Sequence, residues 1–216
     1  MPEPNPGKDI IQNIRKTLKG RVDNVIGNAF KPEINSADYL PEFDDLPELI
    51  FARNLVRVGG KFSFCLDKKE LLAGLADLYQ EKKWEAIYTP EQSIKVLLDM
   101  AGIPNYSDMH RIKEMDAAVS ACEYLIARTG SVMVSSAQIK ERRMLGFAPI
   151  HIVIAYTSQL VNEIKDGIIG IRENYIKMPS MVSTITGPSR TADIEKTLVQ
   201  GMHGPEELYV FLVNDK

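Results

Sequence analysis

The chain has 216 residues, of which 44% are apolar and 25% charged, and its formal net charge is −3. This composition is that of an ordinary soluble globular protein, with one domain and a sizeable core. A small acidic excess without a basic-aromatic stripe argues against nucleic acid as a partner, and nothing in the charge pattern favours an anionic membrane.

The amino-terminal residues predict a cytoplasmic protein. They lack the apolar segment of a signal peptide, and no apolar run approaches the length of a membrane span. Cys65 and Cys122 are the only cysteines, too few for the four thiolates usual in an iron–sulfur cluster and without Cys-x-x-Cys spacing. We therefore predict no cofactor and no metal site, so any electron carried by a cluster must be carried by a partner.

Residues 1–42 are predicted to be a helical arm and loop that pack on the domain formed by residues 43–216. An amphipathic helix is expected over residues 9–19, with Ile10, Ile11, Ile14 and Leu18 at helical spacing. Residues 31–47 carry three prolines and several acids, which is typical of a loop.

The remainder alternates between strand and helix patterns. Helices are expected over 46–58, after a capping box at Asp67, and after Thr89 as N-cap with Pro90 in the first turn. Strands are expected over 61–66, 84–88, 117–121, 132–135 and 150–155, followed by a helix over 157–173. This order implies right-handed crossovers and an α/β fold, a largely parallel sheet flanked by helices.

The chain ends with a predicted strand, a Gly187-Pro188 turn, a helix opening at Ser189, a glycine stop and a last strand. Glycine lets a backbone approach a ligand closely, while hydroxyls and free amides at a helix start favour an anion. The predicted ligand-binding residues at this turn are Thr186, Gly187, Ser189, Arg190 and Asp193. The alternative is a capped helix start with no ligand, because Asp193 would already complement the helix dipole.

A second turn, Thr129-Gly130-Ser131, precedes another predicted strand and could hold a carboxylate or phosphate through its amides. Both turns follow strand-like segments, so we expect them to line one pocket at the carboxyl edge of the sheet. His203 is a further candidate as acid, base or ligand, although a histidine on a turn is more often a capping residue. His151, which begins an apolar strand, is predicted to be structural.

Three segments resemble the lactate-utilization protein C family, the LUD domain: residues 127–131, the stretch from Arg143 to Ile152, and residues 186–195 with His203-Gly204-Pro205. The resemblance covers most of the chain from about residue 50. It implies a fold like that of the NagB/RpiA/CoA-transferase superfamily. It also implies a role in bacterial oxidation of L-lactate to pyruvate beside iron–sulfur subunits. A small anionic metabolite and further copies of the chain are the other candidate partners.

Arg128 stands where the family commonly has a glutamate, so a glutamate nucleophile of the CoA-transferase type is not expected here. The motif Gly-x-Gly-x-Gly-Tyr-Tyr-Asp of 5-formyltetrahydrofolate cyclo-ligases is missing, and no Walker or Gly-x-Gly-x-x-Gly motif supports ATP or nicotinamide. Two alternatives stay open at this point. The first alternative to the lactate role is a stand-alone enzyme acting on a CoA ester, sugar phosphate or folate. The second is an interaction module with a vestigial pocket.

Overall fold

The computed structural model describes residues 46–85, 87–192, 198–200 and 204–215. The helices are α1 (Pro47–Arg57), α2 (Lys68–Lys82), α3 (Gln92–Met100), α4 (Met144–Phe147) and α5 (Ile164–Asn174), with short 3-10 helices at Met109–Glu114 and Thr157–Gln159. The strands are β1 (Lys61–Cys65), β2 (Ile87–Tyr88), β3 (Asn105–Tyr106), β4 (Ala117–Ser120), β5 (Tyr124–Ile126), β6 (Ser131–Ser135), β7 (Ile150–Tyr156), β8 (Leu160–Val161), β9 (Val182–Ile185), β10 (Arg190–Ala192), β11 (Leu198–Gln200) and β12 (Glu207–Val213).

The predicted parallel sheet is confirmed. Six strands lie in the order β1-β12-β7-β4-β2-β3, and every neighbouring pair is parallel. The longest ladder joins β12 to β7 from Glu207↔Ile150 to Val213↔Tyr156. These central strands are nearly continuous apolar runs because both faces of the sheet are covered.

A second, mostly antiparallel sheet of four strands, in the order β8-β5-β6-β9, was not expected from the sequence. It corrects the helix predicted over residues 157–173, which begins only at Ile164. Leu160 and Val161 have helical apolar spacing, but their backbones pair in parallel with Leu125 and Ile126 of β5. Tertiary pairing therefore outweighs the local pattern.

The helix predicted from Ser189 onward is also wrong. The described residues of that segment form β10 and β11, an antiparallel pair in which Thr191 lies opposite Val199. β-branched residues favour such pairing over a helix. The predicted helix stop at Gly201 lies outside the described residues.

The core is built in layers around the parallel sheet. α2 and α3 cover one face and bury Leu71, Leu75, Ile94 and Leu98 against it. α1 and the second sheet cover the other face, and α5 packs on the outside of the second sheet. Within the described ranges, no helix is long and apolar enough to span a bilayer.

The predicted starts of α2 and α3 have different outcomes. The capping box is confirmed, since Asp67 accepts from the Glu70 amide at 2.9 Å, although the Glu70 carboxylate reaches back to the Leu66 amide. Thr89 is not the N-cap of α3, which begins after Glu91. Glu91 is itself the N-cap, with an extended backbone, and its carboxylate accepts from the Ala121 amide at 3.1 Å. The predicted arm, residues 1–42, lies outside the described residues and stays a prediction.

Candidate functional site

The two predicted turns meet. β6 and β9 are antiparallel neighbours with Val132 opposite Ile185, which brings the end of β9 beside the start of β6. The Ser131 hydroxyl is 1% exposed and lies 2.7 Å from the hydroxyls of both Thr129 and Thr186. Ser131 donates to Thr129, so Thr186 donates to Ser131, and the three hydroxyls form a hydroxyl chain. Among the described residues no acceptor takes the Thr129 proton, which is left for a further acceptor.

The Thr129-Gly130-Ser131 turn is pressed against the carboxyl end of α1. The Asn54 side-chain amide donates to the carbonyls of Ala127 and Arg128, each at 2.9 Å. Gly130 has a φ of +63°, and a Cβ there would lie 2.2 Å from the Leu55 amide nitrogen. Only glycine fits this contact, so the turn is positioned by helix packing.

The Gly187-Pro188-Ser189 turn packs on the same end of α1. Gly187 has a φ of +77°, and a Cβ there would lie 2.5 Å from the Val58 carbonyl oxygen. Arg190 donates to that carbonyl at 3.2 Å, while the Ser189 amide donates to the Pro205 carbonyl at 2.7 Å. The positive φ and the close backbone approach expected of Gly187 are both present.

The location of this cluster corrects the sequence analysis. Val58 lies three residues before β1 and Pro205 two residues before β12, so the turns sit at the amino edge of the parallel sheet. We expected the carboxyl edge because both turns follow strands. Those strands, however, belong to the second sheet, whose antiparallel pairing sends their ends the other way.

Of the predicted ligand-binding residues, the structure brings together Thr129, Gly130, Ser131, Thr186, Gly187, Ser189 and Arg190. Asp193 and His203 lie outside the described residues. Arg128 forms an ion pair with Glu163, the N-cap of α5, and thereby ties the first turn to that helix. This ion pair gives Arg128 a positioning role.

A second polar cluster, which the sequence analysis missed, occupies the carboxyl edge. After β2 the chain continues to β3 on one side, and after β4 it continues to β7 on the other. The crevice between β2 and β4 is therefore the topological switch point, where open parallel sheets bind ligands. Glu91 follows β2 and Glu123 follows β4, so each contributes a carboxyl group at this crevice.

Glu91 bridges the crevice. Its carboxyl group accepts from the Ala121 amide at 3.1 Å and from the Gln138 side-chain amide at 3.2 Å to each oxygen. Burial raises the pKa of Glu91, opposed by the bonds from Gln138 and Ala121, and the Glu123 charge raises it further. Gln138 Oε1 is itself buried and has no hydrogen-bond partner among the described residues.

Glu123 is held differently. Its carboxylate accepts from the buried Ser135 hydroxyl at 2.5 Å and from the Tyr175 hydroxyl at 2.9 Å. Two carboxyl groups in unlike surroundings can divide the roles of acid and base. The sequence signal is the position of each glutamate just beyond a predicted strand. At Glu91 the same residues also predict a helix start, and that interpretation hid the site.

His151 is structural, as predicted. It is 1% exposed, and its Nε2 lies 2.9 Å from the Ser120 hydroxyl. Ser120 donates its proton to the Ala121 carbonyl, so His151 Nε2 is the donor to Ser120. The buried His151 Nδ1 has no partner in the part of the chain that the structure describes. Burial lowers the pKa of His151 to about 4. Across the described part of the chain, no group of three or more metal-ligating side chains occurs.

Replacing Glu91 with glutamine should raise the free energy of unfolding at pH 7 by about 1 kcal/mol. The substitution removes a buried charge and supplies an N–H donor for the unpartnered Gln138 Oε1. Denaturant melts at pH 7 measure this. The matched control is Glu114→Gln, at an exposed ion pair with Arg111, where little change is expected. A clear loss of stability in Glu91→Gln would contradict this account of the site.

Comparisons with known proteins agree with this architecture. The profile of the family described as LUD domain matches residues 49–213. An uncharacterized protein of Neisseria meningitidis serogroup B is 36% identical over 99 residues, 46% of this chain and 42% of that protein. Lactate utilization protein C of Bacillus subtilis is 30% identical over 112 residues, 50% of this chain and 47% of that protein.

The chain thus spans less than half the length of these curated relatives. Among solved structures, a DUF162 family protein from Deinococcus radiodurans matches with a TM-score of 0.59 and 16% identity, over 77% of this chain and 96% of that chain. At this identity the match shows a shared fold.

Proposed function

This chain belongs to the LUD domain family, and we propose that it is a component of a bacterial L-lactate utilization system that binds a small anionic metabolite. The pathway is proposed from the relatives named lactate utilization protein C. The observation that carries the binding role is the hydroxyl chain from Thr186 through Ser131 to Thr129.

That hydroxyl chain has the chemistry of an anion site. The ordered chain leaves the Thr129 proton as a donor, and charge-assisted hydrogen bonds to a carboxylate are stronger than neutral ones. Arg190, which lies at the adjoining turn, adds a positive charge. The carboxylate of lactate or pyruvate is the proposed ligand, and Gly130 and Gly187 hold the two turns in place by their close packing on α1.

Thr186→Ala should weaken L-lactate or pyruvate binding about tenfold or more, because Ser131 loses the hydrogen bond from Thr186 that orders the hydroxyl chain and directs the Thr129 proton to the ligand. Thr186 is exposed, so its removal should cost little stability. The matched control is Thr184→Ala, an exposed threonine two residues earlier on β9. Calorimetric titration of both variants measures the effect. Equal affinities in the two variants would remove this turn as the binding site.

We also propose that the protein acts in the cytoplasm beside iron–sulfur subunits. The described cysteines, Cys65 and Cys122, are buried, and burial raises the pKa of both thiols, which disfavours cluster ligation. Affinity purification of the native protein from lactate-grown cells should recover iron-containing partners. Recovery without them, together with normal growth of a deletion strain on lactate, would contradict the proposal.

The polar cluster of Glu91, Glu123 and Gln138 at the topological switch point favours a second candidate function. This candidate is a stand-alone enzyme of the CoA-transferase and cyclo-ligase-like superfamily acting on a CoA ester, sugar phosphate or folate. In this proposal Glu91 is the acid and Glu123 the base. A thermal-shift screen across these ligands tests it, since a ligand at about 100 times its dissociation constant stabilises a fold by about 2.7 kcal/mol. If only lactate or pyruvate shifts the midpoint, the enzyme candidate fails.

A further inference from the structure

A groove of about 260 Å³ lies between α2 and the strands β1 and β12. Leu78 and Phe211, which are 8% and 5% exposed, line the base of the groove, and Asp77 and Glu81 are exposed acidic residues along its helical side. The groove is on the face of the parallel sheet opposite α1. It is also at the edge, because among the described strands β1 pairs only with β12.

The acidic charge of this groove is only partly balanced by the described residues around it. Asp77 and Glu81 are one helical turn apart, a spacing at which like charges repel. Neither has an ion-pair partner within the described residues. Lys61 and Lys82 both bond to the Glu207 carboxylate, at 2.6 Å and 2.8 Å, so these three groups together leave one positive charge beside the two acids. A cationic occupant would remove the repulsion between the two acids.

The amino-terminal part of this chain has the matching chemistry. Residues 10–22 contain four basic side chains and no acidic one, and they also contain apolar side chains that suit the groove. The basic residues are Arg15, Lys16, Lys19 and Arg21. Opposite charge together with apolar side chains is the complementarity that an apolar, acid-lined groove requires.

The connection is long enough. α1, the first described helix, packs on β1, with the Phe51 and Phe62 rings 5.9 Å apart. The 25 residues from Val22 to Leu46 can span up to about 80 Å. Because β1 is an edge strand, the chain can pass around it from the α1 face to the groove face without crossing another strand.

We propose that residues 10–22 dock in this groove of the same molecule, with basic side chains at Asp77 and Glu81 and apolar side chains on Leu78 and Phe211. This docking is independent of the proposed lactate function. It would make the amino-terminal arm an electrostatically held part of the domain, released by salt.

Limited trypsin digestion of the full chain under native conditions tests the proposal, because trypsin cleaves after the four basic residues of the segment. Glu81→Lys should speed cleavage there about 3- to 10-fold, since it replaces an attractive charge with a repulsive one. Glu173→Lys, a charge reversal at an exposed residue of α5, is the matched control and should leave the rate unchanged. Adding Lys16→Glu to Glu81→Lys should restore protection at the remaining sites.

Two further measurements test whether the docking is electrostatic and whether it occurs within one molecule. About 0.5 M NaCl should speed cleavage of the unmodified chain, after correction for a synthetic peptide of residues 8–23 digested in parallel. Protection should not change on about 20-fold dilution. Equal cleavage in Glu81→Lys and Glu173→Lys would overturn the proposal. Protection lost on dilution would assign the segment to a second copy and overturn docking within one molecule.

Discussion

Gly130→Ala should destabilise the fold by roughly 3–5 kcal/mol. This figure is the sum of the cost of backbone strain and the cost of an overpacked contact. Gly130 has a φ of +63°, and the new methyl group would lie 2.2–2.8 Å from backbone atoms of Asn54 and Leu55. Backbone atoms cannot rotate away, so α1 must shift. Leu55 and Phe51 are fully buried, and such a shift would open the core around them.

Gly102→Ala separates the two contributions. Gly102 has a similar φ of +70°, but a Cβ there would have no neighbour within 4 Å. Its substitution should cost only about 1–2 kcal/mol, the cost of placing a side chain in the left-handed region. Urea denaturation of both variants measures the difference. Equal losses would mean that Gly130 is needed for its φ alone and that α1 does not press on the turn.

Lowering the pH from 7 to 4 should remove about 3 kcal/mol of stability through His151 alone. Its pKa is lowered from 6.5 to about 4 in the fold, so between these values the unfolded chain binds more protons than the folded one. Stability therefore falls as the pH falls through this window. Below about pH 4 His151 is protonated in both the folded and the unfolded state, so it causes no further change of stability with pH.

The measurement is the difference in the free energy of unfolding between the unmodified protein and His151→Gln from pH 7 to pH 4. Glutamine can still donate to Ser120 but does not titrate, so the pH slope assigned to His151 should disappear. The comparison is needed because the raised pKa of Glu91 gives a slope of opposite sign, while Glu207, with a pKa near 2, acts at lower pH. His110→Gln, at an exposed histidine, is the control. An unchanged slope in His151→Gln would contradict this assignment.

The sequence predicted correctly those elements whose structure depends on neighbouring residues. The Asp67 capping box, the apolar spacing of α1 and the continuous apolar run of β7 predicted those elements closely, because each depends on neighbouring residues. The parallel sheet followed from their alternation. The turns at Gly130 and Gly187 were also recognised, since glycine marks positions of positive φ.

The errors arose where pairing partners are distant in sequence. Leu160 and Val161 have helical spacing, yet they pair with β5, some 35 residues away. The segment after Ser189 starts like a helix, yet its described residues form a β hairpin. Both outcomes depend on hydrogen bonds to strands that local propensity does not specify.

By itself, the sequence determined the α/β class, the family and the residues of the two turns, because these depend on composition, periodicity and ordered motifs. Only the tertiary structure decided that the turns lie at the amino edge and that Glu91 and Glu123 share the switch-point crevice. The direction of a strand end depends on which sheet the strand joins and on whether it runs parallel or antiparallel there. That choice is made by contacts across the whole chain, so no local pattern encodes it.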